Sequence, residues 1–418
     1  MAKTVKRHPK ILVVCQHFWP ESFRINDICD FLVDKECSVD VLCGLPNYPE
    51  GKLYKGYSFF SNFRQKHDGV NIQRVPEIPR GNNTNIRIFL NYVSFPFFSL
   101  FYIPWLLTKR YDKILLYQLS PVMMSIAGII VGKIKKIETT MYVLDLWPEN
   151  LFSVLDIKNP FLRRLVTKIS HWHYRHVDKL IVLSERMKSK IIEVTGISDN
   201  KVIVLPQACE KIYENTEVSS ELHDRLKGTF NILYAGNISP AQSFDTIIEA
   251  AKLLEQDGKH DIRWVIVGNG MSRKQVEEDV QAAGLTSYFL FEGQKPITDI
   301  PKYNAEADVL VGCLVKSDLL EATIPAKAMS YIASGNPMAL AMDGEVQDLI
   351  NSKIKCGYAG PTEDAAALAK NITKIYDSTP KQREAMGKNA RDYHFKNFER
   401  NLILQKLYDF IFDGSQVK

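Results

Sequence analysis

Short apolar, β-branched runs alternate with helix-patterned stretches along this chain, and the alternation starts twice. The first series is Lys10–Cys15 (KILVVC), Ser38–Cys43 (SVDVLC), Val70–Val75, Lys113–Tyr117, Thr140–Leu144, Lys179–Leu183 and Lys201–Leu205. Ile25–Val33, between the first two runs, carries its apolar residues at helical spacing. The second series is Phe230–Tyr234, Trp264–Val267, Tyr288–Glu292, Asp308–Gly312 and Met338–Ala341, with helix patterns at Asp245–Leu254, Met271–Ala283 and Pro325–Ala333. Apolar strands separated by helices are covered on both faces, so the expected class is α/β with parallel, doubly wound sheets. Gln207–Gly228 is polar and lacks strand pattern, and reads as the linker between two domains. Lys381–Phe412 reads as helical.

The chain has 418 residues, 45% hydrophobic and 24% charged, which excludes a disordered chain, a collagen-like repeat and a disulfide-stapled miniprotein. The net charge of +5 is too weak to argue for nucleic acid as a partner. It is unevenly spread. Residues 1–200 hold 28 basic and 18 acidic side chains, net +10, leaving −5 for residues 201–418. Cys15, Cys29, Cys37, Cys43, Cys209, Cys313 and Cys356 form no C-x-x-C pair and no zinc-type spacing with histidine, so buried free thiols in a reducing compartment are expected. The basic stretch Met1–Lys10 precedes an apolar run too short for a signal-peptide core, so the expected location is cytoplasmic.

Ile88–Leu107 (IFLNYVSFPFFSLFYIPWLL) is twenty residues without a formal charge, long enough to span a bilayer. Asn91, Ser94, Ser99, Pro96 and Pro104 interrupt it, and basic residues flank it on both sides (Arg80, Arg87, Lys109, Arg110) without giving a sidedness. A buried helix is the first reading. An aromatic face lying shallowly in a bilayer is the second.

In doubly wound sheets, ligands bind beyond the carboxyl ends of the strands, so chemistry is sought in the loops that follow them. In the first half these are Gln16–Glu21 (QHFWPE), Gly44–Gly51 (GLPNYPEG) and Asp145–Glu149 (DLWPE). Asp145 emerges from an apolar strand beside Trp147 and Glu149 and is either a helix cap or a functional carboxylate. In the second half, Gly236-Asn237 follows Phe230–Tyr234, and Gly268-Asn269-Gly270 follows Trp264–Val267. Gln294-Lys295-Pro296 follows the next strand. Glycines there admit close backbone approach to a ligand. Thr323–Pro337 (TIPAKAMSYIASGNP) opens a helix after Pro325, and its first amides with Lys327 make an anion cradle suited to a diphosphate.

Taken in order, QHFWPE, GLPNYPEG, DLWPEN, LSERMKSKI, ILYAGNISPAQSFDTIIEAAKLL, VIVGNGMSRKQVEE, FEGQ, ADVLV and IPAKAMSYIASGNP resemble the retaining family 4 glycosyltransferases of the GT-B fold. Among them the chain is most similar to the bacterial surface-polysaccharide branch that includes N-acetyl-L-fucosamine transferases. The resemblance implies two Rossmann-like domains facing across a cleft. It places an acceptor domain at 1–206, a nucleotide-sugar domain at 207–390, and a last helix, 391–418, returning to the first domain. It also implies retaining transfer, without a metal or other cofactor, from a nucleotide sugar, expected to be UDP-linked and of N-acetylated hexosamine type. The implied acceptor is a polyprenyl-diphosphate-linked saccharide at the inner membrane surface, in O-antigen or capsule synthesis.

Under that resemblance the catalytic candidates are Asp145, with Glu149 and Glu345 as alternates. Donor-binding candidates are Gly236, Asn237, Gly268, Gln294, Lys295, Pro296, Glu321, Pro325, Ala326, Lys327 and Ser330. Acceptor candidates are Pro20, Glu21, Asn47, Tyr48, Pro49 and Trp147. The chain departs from the family pattern at three places. The Glu-x7-Glu positions hold Ala322 and Ser330, with Glu321 adjacent. The usual Arg and Lys after the Gly-Asn loop are Asn237 and Gln242, leaving Lys327 or Lys316 to meet the phosphates. The usual His is Asp145. A nucleotide-sugar epimerase of the same fold and a scaffold subunit without turnover are the alternatives.

Overall fold

The computed structural model describes residues 8–82, 84–149, 151–152, 159–214, 218–317, 321 and 323–413. It divides into two compact units, Met1–Gln207 with Leu404–Lys418, and Ala208–Ile403.

The first unit holds an eight-stranded sheet in the order β3-β4-β2-β1-β5-β6-β7-β8. Its strands are β1 (Lys10–Val14), β2 (Ser38–Cys43), β3 (Arg64–His67), β4 (Val70–Arg74), β5 (Lys113–Gln118), β6 (Thr139–Val143), β7 (Lys179–Val182) and β8 (Val202–Val204). All pairs are parallel except β3 with β4. Val13 lies between Val41 and Leu115 at the sheet centre, and all three are fully or almost fully buried. The order reverses between β1 and β5, the switch point of a doubly wound sheet.

The second unit holds six parallel strands in the order β11-β10-β9-β12-β13-β14. These are β9 (Phe230–Ala235), β10 (Ile262–Val267), β11 (Phe289–Gly293), β12 (Val309–Cys313), β13 (Met338–Ala341) and β14 (Gly357–Gly360). The switch point lies between β9 and β12. Ile232 and Tyr234 pack into the core on one face of β9, and Leu233 and Ala235 into the core on the other. Burial on both faces is the physical reason these strands read as continuous apolar runs. The helix Phe244–Gln256 buries Phe244, Ile247, Ile248, Ala251 and Leu254, one stripe at helical spacing.

Three expectations need correcting. The polar segment between the two series is not bare linker: it contains the helix Ser220–Leu226, whose Leu222 and Leu226 join the second unit's core. The edge strands β3 and β14 have no counterpart in the sequence reading. The stretch Ile88–Leu107 is not a buried helix. The helix Asn85–Leu100 buries Asn91, Ser94, Phe95, Pro96 and Ser99 and turns Ile86, Phe89, Leu90, Val93, Phe97 and Leu100 outward, with Phe101 following at 68% exposure. Its inward face is mixed, with Tyr92, Phe95 and Pro96 beside Asn91, Ser94 and Ser99, and its outward face is apolar. Among the described residues no helix is long and apolar enough to cross a membrane.

The seven cysteines are all free and buried, as expected from their spacing. Burial pushes the Cys43 and Cys37 thiols up to about 11 and Cys313 and Cys356 to about 12, which keeps them unreactive. The helix Arg400–Phe412 begins in the second unit and ends in the first. There the carbonyl of Phe410 accepts a hydrogen bond from Lys179 Nζ at 3.0 Å.

Candidate functional site

In the second unit, a cavity of about 730 Å³ opens at the carboxyl ends of β9, β10 and β11. Its floor is main chain, built by loops that tie to one another. Gly236 N–H donates to the Val267 carbonyl at 2.9 Å, Gly268 N–H to Gly293 at 2.8 Å, and Ile238 N–H to Asn269 at 2.9 Å. The glycines are required by contact. A Cβ on Gly268, which has φ +143°, would fall 1.9 Å from the Gly236 oxygen, and one on Gly270 would fall 2.1 Å from the Ile238 oxygen. Gly236, Asn237, Gly268, Gln294, Lys295, Pro296 and Ser330 all line the cavity.

The helix Ala326–Ser334 follows Pro325 and ends at Gly335 in the left-handed region. Its Tyr331 hydroxyl accepts from Ala235 N–H and donates to the Val311 carbonyl, both at 3.1 Å, which pins the helix across the β9/β12 switch point. The first turn leaves amides without helical partners. Lys327 lies in that turn. Its Nζ donates to Gln242 Oε1 at 2.8 Å and sits 3.4 Å from the centre of the Tyr234 ring. A Cβ on Gly236 would be 3.1 Å from Lys327 Cε. Burial holds the ammonium well below its ordinary range. No ion pair involves Lys327 among the described residues.

The other donor candidates are placed differently. Lys295 lies 3.2 Å from Glu292, which also accepts from Arg225 at 2.6 Å and from the Tyr303 hydroxyl at 2.7 Å, so its charge is partly spent. Ser330 Oγ donates to the Lys327 carbonyl at 2.9 Å, leaving its lone pairs for a ligand. Glu321 is half-buried and its N–H donates to Ser317. Ala322 lies outside the described residues. Lys316 is exposed, and Glu345 opens the short helix after β13. Tyr213, Asn269, Ile297, Ile300 and Tyr331 line the cavity but are absent from the sequence candidates. Tyr331 was legible in principle, since it follows Ser330 in the same motif. Tyr213 lies in the segment dismissed as linker.

In the first unit, polar groups gather where β1, β2, β4, β5 and β6 end. Glu21, 1% exposed, accepts from Asn47 N–H at 2.8 Å and Tyr48 N–H at 2.6 Å, and its other oxygen lies 3.0 Å from His17 Nδ1. It therefore ties the loop after β1 to the loop after β2. Pro20 and Pro49 follow cis peptide bonds in those loops. Tyr48 is 40% exposed and carries the Arg80 guanidinium over its ring, which also lies over Tyr92. Asp145 Oδ2 accepts from Ser120 Oγ at 2.8 Å, and Ser120 in turn accepts from the Trp147 indole at 2.9 Å. Trp147, 1% exposed, thus orients Ser120 from inside and offers no open face to a ligand. Burial raises the Asp145 carboxyl above its ordinary range, against the bonds from Ser120 and the charge of Arg80.

Sequence reasoning missed Gln16, Glu77, Asn91 and Ser120, and noted Arg80 only as surface charge. Glu77, fully buried, accepts from Gln16 Nε2 at 2.6 Å and Asn91 Nδ2 at 2.5 Å, and burial pushes it up to about 8. The signal was a carboxylate just past a strand, in Val75–Arg80 (VPEIPR). Among the described residues, five of the eight buried polar atoms without a hydrogen-bond partner lie here: Gln16 Oε1, His17 Nε2, Glu77 Oε2, Gln118 Oε1 and Glu149 Oε2. Such groups are rare in folded proteins and mark places where chemistry or a ligand sets the arrangement.

Residues 217–393 match the family Glycosyl transferases group 1. The matched segment falls within the second unit. The chain is 26% identical over 221 residues to the 2-deoxystreptamine glucosyltransferase of Streptomyces kanamyceticus, across 51% of this chain and 55% of that protein, so it spans about half of that relative's length. It is 23% identical over 415 residues to WcaI of Escherichia coli K12, named for colanic acid biosynthesis, across 95% of this chain and 98% of that one. Anabaena Alr3699/HepE, solved in complex with UDP and glucose, superposes with a TM-score of 0.67 at 16% identity, across 96% and 99% of the two chains. The fold is GT-B: two Rossmann-like units, of which the second carries the glycine-floored cavity.

Proposed function

We propose that the protein is a retaining glycosyltransferase that moves a sugar, of N-acetylated hexosamine type, from a UDP-linked donor to a lipid-diphosphate-linked saccharide in bacterial surface-polysaccharide synthesis. The observation that carries this reading is the cavity at the carboxyl ends of β9, β10 and β11, with its glycine floor and Lys327 beside it. Helix N-terminal amides and a partly desolvated lysine suit a leaving diphosphate, because they aim fixed positive charge where negative charge develops. Gln294–Pro296 face the base, and Ser330 accepts from a ribose hydroxyl.

In the proposed reaction the bond from the anomeric carbon to the diphosphate breaks, and the acceptor oxygen bonds that carbon on the same face. The acceptor proton passes to the departing phosphate oxygen. Asp145, oriented by Ser120, holds the acceptor hydroxyl and stabilises positive charge on the sugar. Glu149 and Glu345 are the alternates for that carboxylate role. The polar cluster around Arg80, Glu77 and Asn91 takes the acceptor saccharide and its phosphate, with Glu21, Asn47 and Trp147 holding its loops in place.

A membrane surface fits the same unit as a partner. The outward apolar stripe of Asn85–Leu100 has a parallel in the helix Pro160–Arg175, which exposes Phe161, Leu162, Leu165, Ile169 and Trp172 with Arg163, Arg164 and Lys168 among them. Both helices pack against the short turn Val122–Ser125. Apolar stripes edged by basic side chains bind the interface of an anionic bilayer.

Thermal unfolding with UDP, GDP and dTDP and their sugars tests the donor assignment. UDP at a hundredfold excess over its Kd is expected to stabilise by about 2.7 kcal/mol. No response to any nucleotide overturns the reading. A new epimer formed from donor alone, with no acceptor present, identifies an epimerase instead.

A further inference from the structure

A second cavity, of about 360 Å³, lies in the first unit, away from the strand ends described above. It opens over the β1, β2, β4 and β3 side of the sheet, at Leu12, Asp40, Asn71 and Arg64, and is covered by Trp105 and Lys109 just beyond the outward-facing aromatic helix. Asp40 contributes no free negative charge. Its carboxylate receives Lys10 Nζ at 2.8 Å, the Tyr111 hydroxyl at 3.0 Å and Asn71 Nδ2 at 2.9 Å. Arg64 and Lys109 are different. Both lie over the ring of Trp105, at 5.9 and 5.2 Å, and neither forms an ion pair among the described residues. Arg64 Nε donates to Gln73 at 3.1 Å, which fixes the guanidinium at the mouth.

An anion held between two cations that share one indole is attracted by both and offsets their mutual repulsion. We propose that this cavity binds the phosphate of an anionic phospholipid headgroup, a site that presupposes the membrane contact proposed above. Arg64 and Lys109 neutralise the phosphate, and Trp105 takes the interfacial position suited to an indole. Phe101, 68% exposed and one turn before Trp105, leads from the cavity to the apolar stripe that would receive the acyl chains.

The test compares the parent with Arg64→Gln/Lys109→Gln and with Phe89→Ser/Phe97→Ser. Three probes are used: short-chain phosphatidylglycerol below its micelle concentration, inorganic phosphate, and vesicles of phosphatidylcholine with or without phosphatidylglycerol. The parent is expected to bind the monomeric lipid, and the double Gln variant about 30-fold more weakly, the loss of two basic contacts. Phe89→Ser/Phe97→Ser should keep monomer binding and lose vesicle binding. Lys109→Gln alone, at a half-buried side chain, gives an intermediate value without risk to the fold. Equal monomer affinity in parent and double Gln variant overturns the proposal. So does inorganic phosphate binding as tightly as the lipid. A parent that binds monomers but no vesicles keeps the headgroup site and removes the membrane reading. A parent that binds anionic vesicles but no monomers does the reverse.

Discussion

Lys327 donates to Gln242, and the bond joins the start of one helix to the loop that starts another. The Gln242 oxygen also accepts from the Tyr234 hydroxyl at 3.1 Å, so an amide stands where the family resemblance leads one to expect a lysine, and a lysine reaches it from the neighbouring helix. Lys327→Met is expected to lower donor turnover about 100-fold, the effect of losing one charge-stabilising donor. Adding Gln242→Lys to that variant should recover part of the loss. Burial depresses the free Lys327 ammonium, and a bound diphosphate raises it again. UDP binding should therefore take up protons at pH values between the free and the bound value, and none well below or well above both. Calorimetry in two buffers of different ionisation enthalpy measures the uptake.

Gly268→Ala separates close approach from backbone freedom. At Gly258, φ +77°, an added Cβ meets nothing within 4 Å, whereas at Gly268 it strikes the Gly236 carbonyl. Gly258→Ala should cost about 1 kcal/mol in urea denaturation. Gly268→Ala should cost about 1–3 kcal/mol and also abolish the thermal response to UDP.

For Asp145→Asn, kcat is expected to fall about 100-fold with the donor KM unchanged, as follows from the acceptor-side role proposed for the carboxylate. Its acid form is favoured by burial, so activity should fall as pH drops through the raised value. Arg80 opposes that rise. Arg80→Gln should shift the acid limb of the kcat profile to higher pH, and a shift to lower pH contradicts the assignment.

Glu77 makes a stability prediction with a definite sign. Its carboxyl titrates near 8 in the fold against about 4.5 when unfolded. The folded state therefore holds the extra proton between those values. The contribution is fully present below the unfolded value and is lost as pH rises through about 8. Glu77→Gln keeps an acceptor for Gln16 and Asn91 and does not ionise. Urea midpoints should fall less steeply between pH 5 and 8 in the variant, and above pH 8 the variant should be the more stable protein.

Most of the sheet was legible because its strands are buried on both faces, which writes them as apolar runs such as KILVVC. β3 (RQKH) and β14 (GYAG) are edge strands, where charge and glycine are tolerated and no run appears. The glycine loops and Lys327 were legible from their place after strands. Glu77 and Arg80 were not, because their arrangement depends on Asn91 arriving from a helix that the sequence presents as apolar. Asn91 accepts from Gln16 at 3.0 Å and Arg80 at 3.3 Å and donates to the Ile78 carbonyl at 2.8 Å. Those bonds hold Asn91 inward, beside the buried Tyr92, Phe95 and Pro96.

The outward aromatic face of that helix also governs how the protein behaves in a tube. With Phe89, Phe97 and Phe101 outward, two copies meeting in plain buffer have an apolar patch in common. Sedimentation should show reversible, concentration-dependent self-association that a mild detergent dissolves. Handling the protein with an amphiphile then preserves a single species, and assays without one sample a mixture.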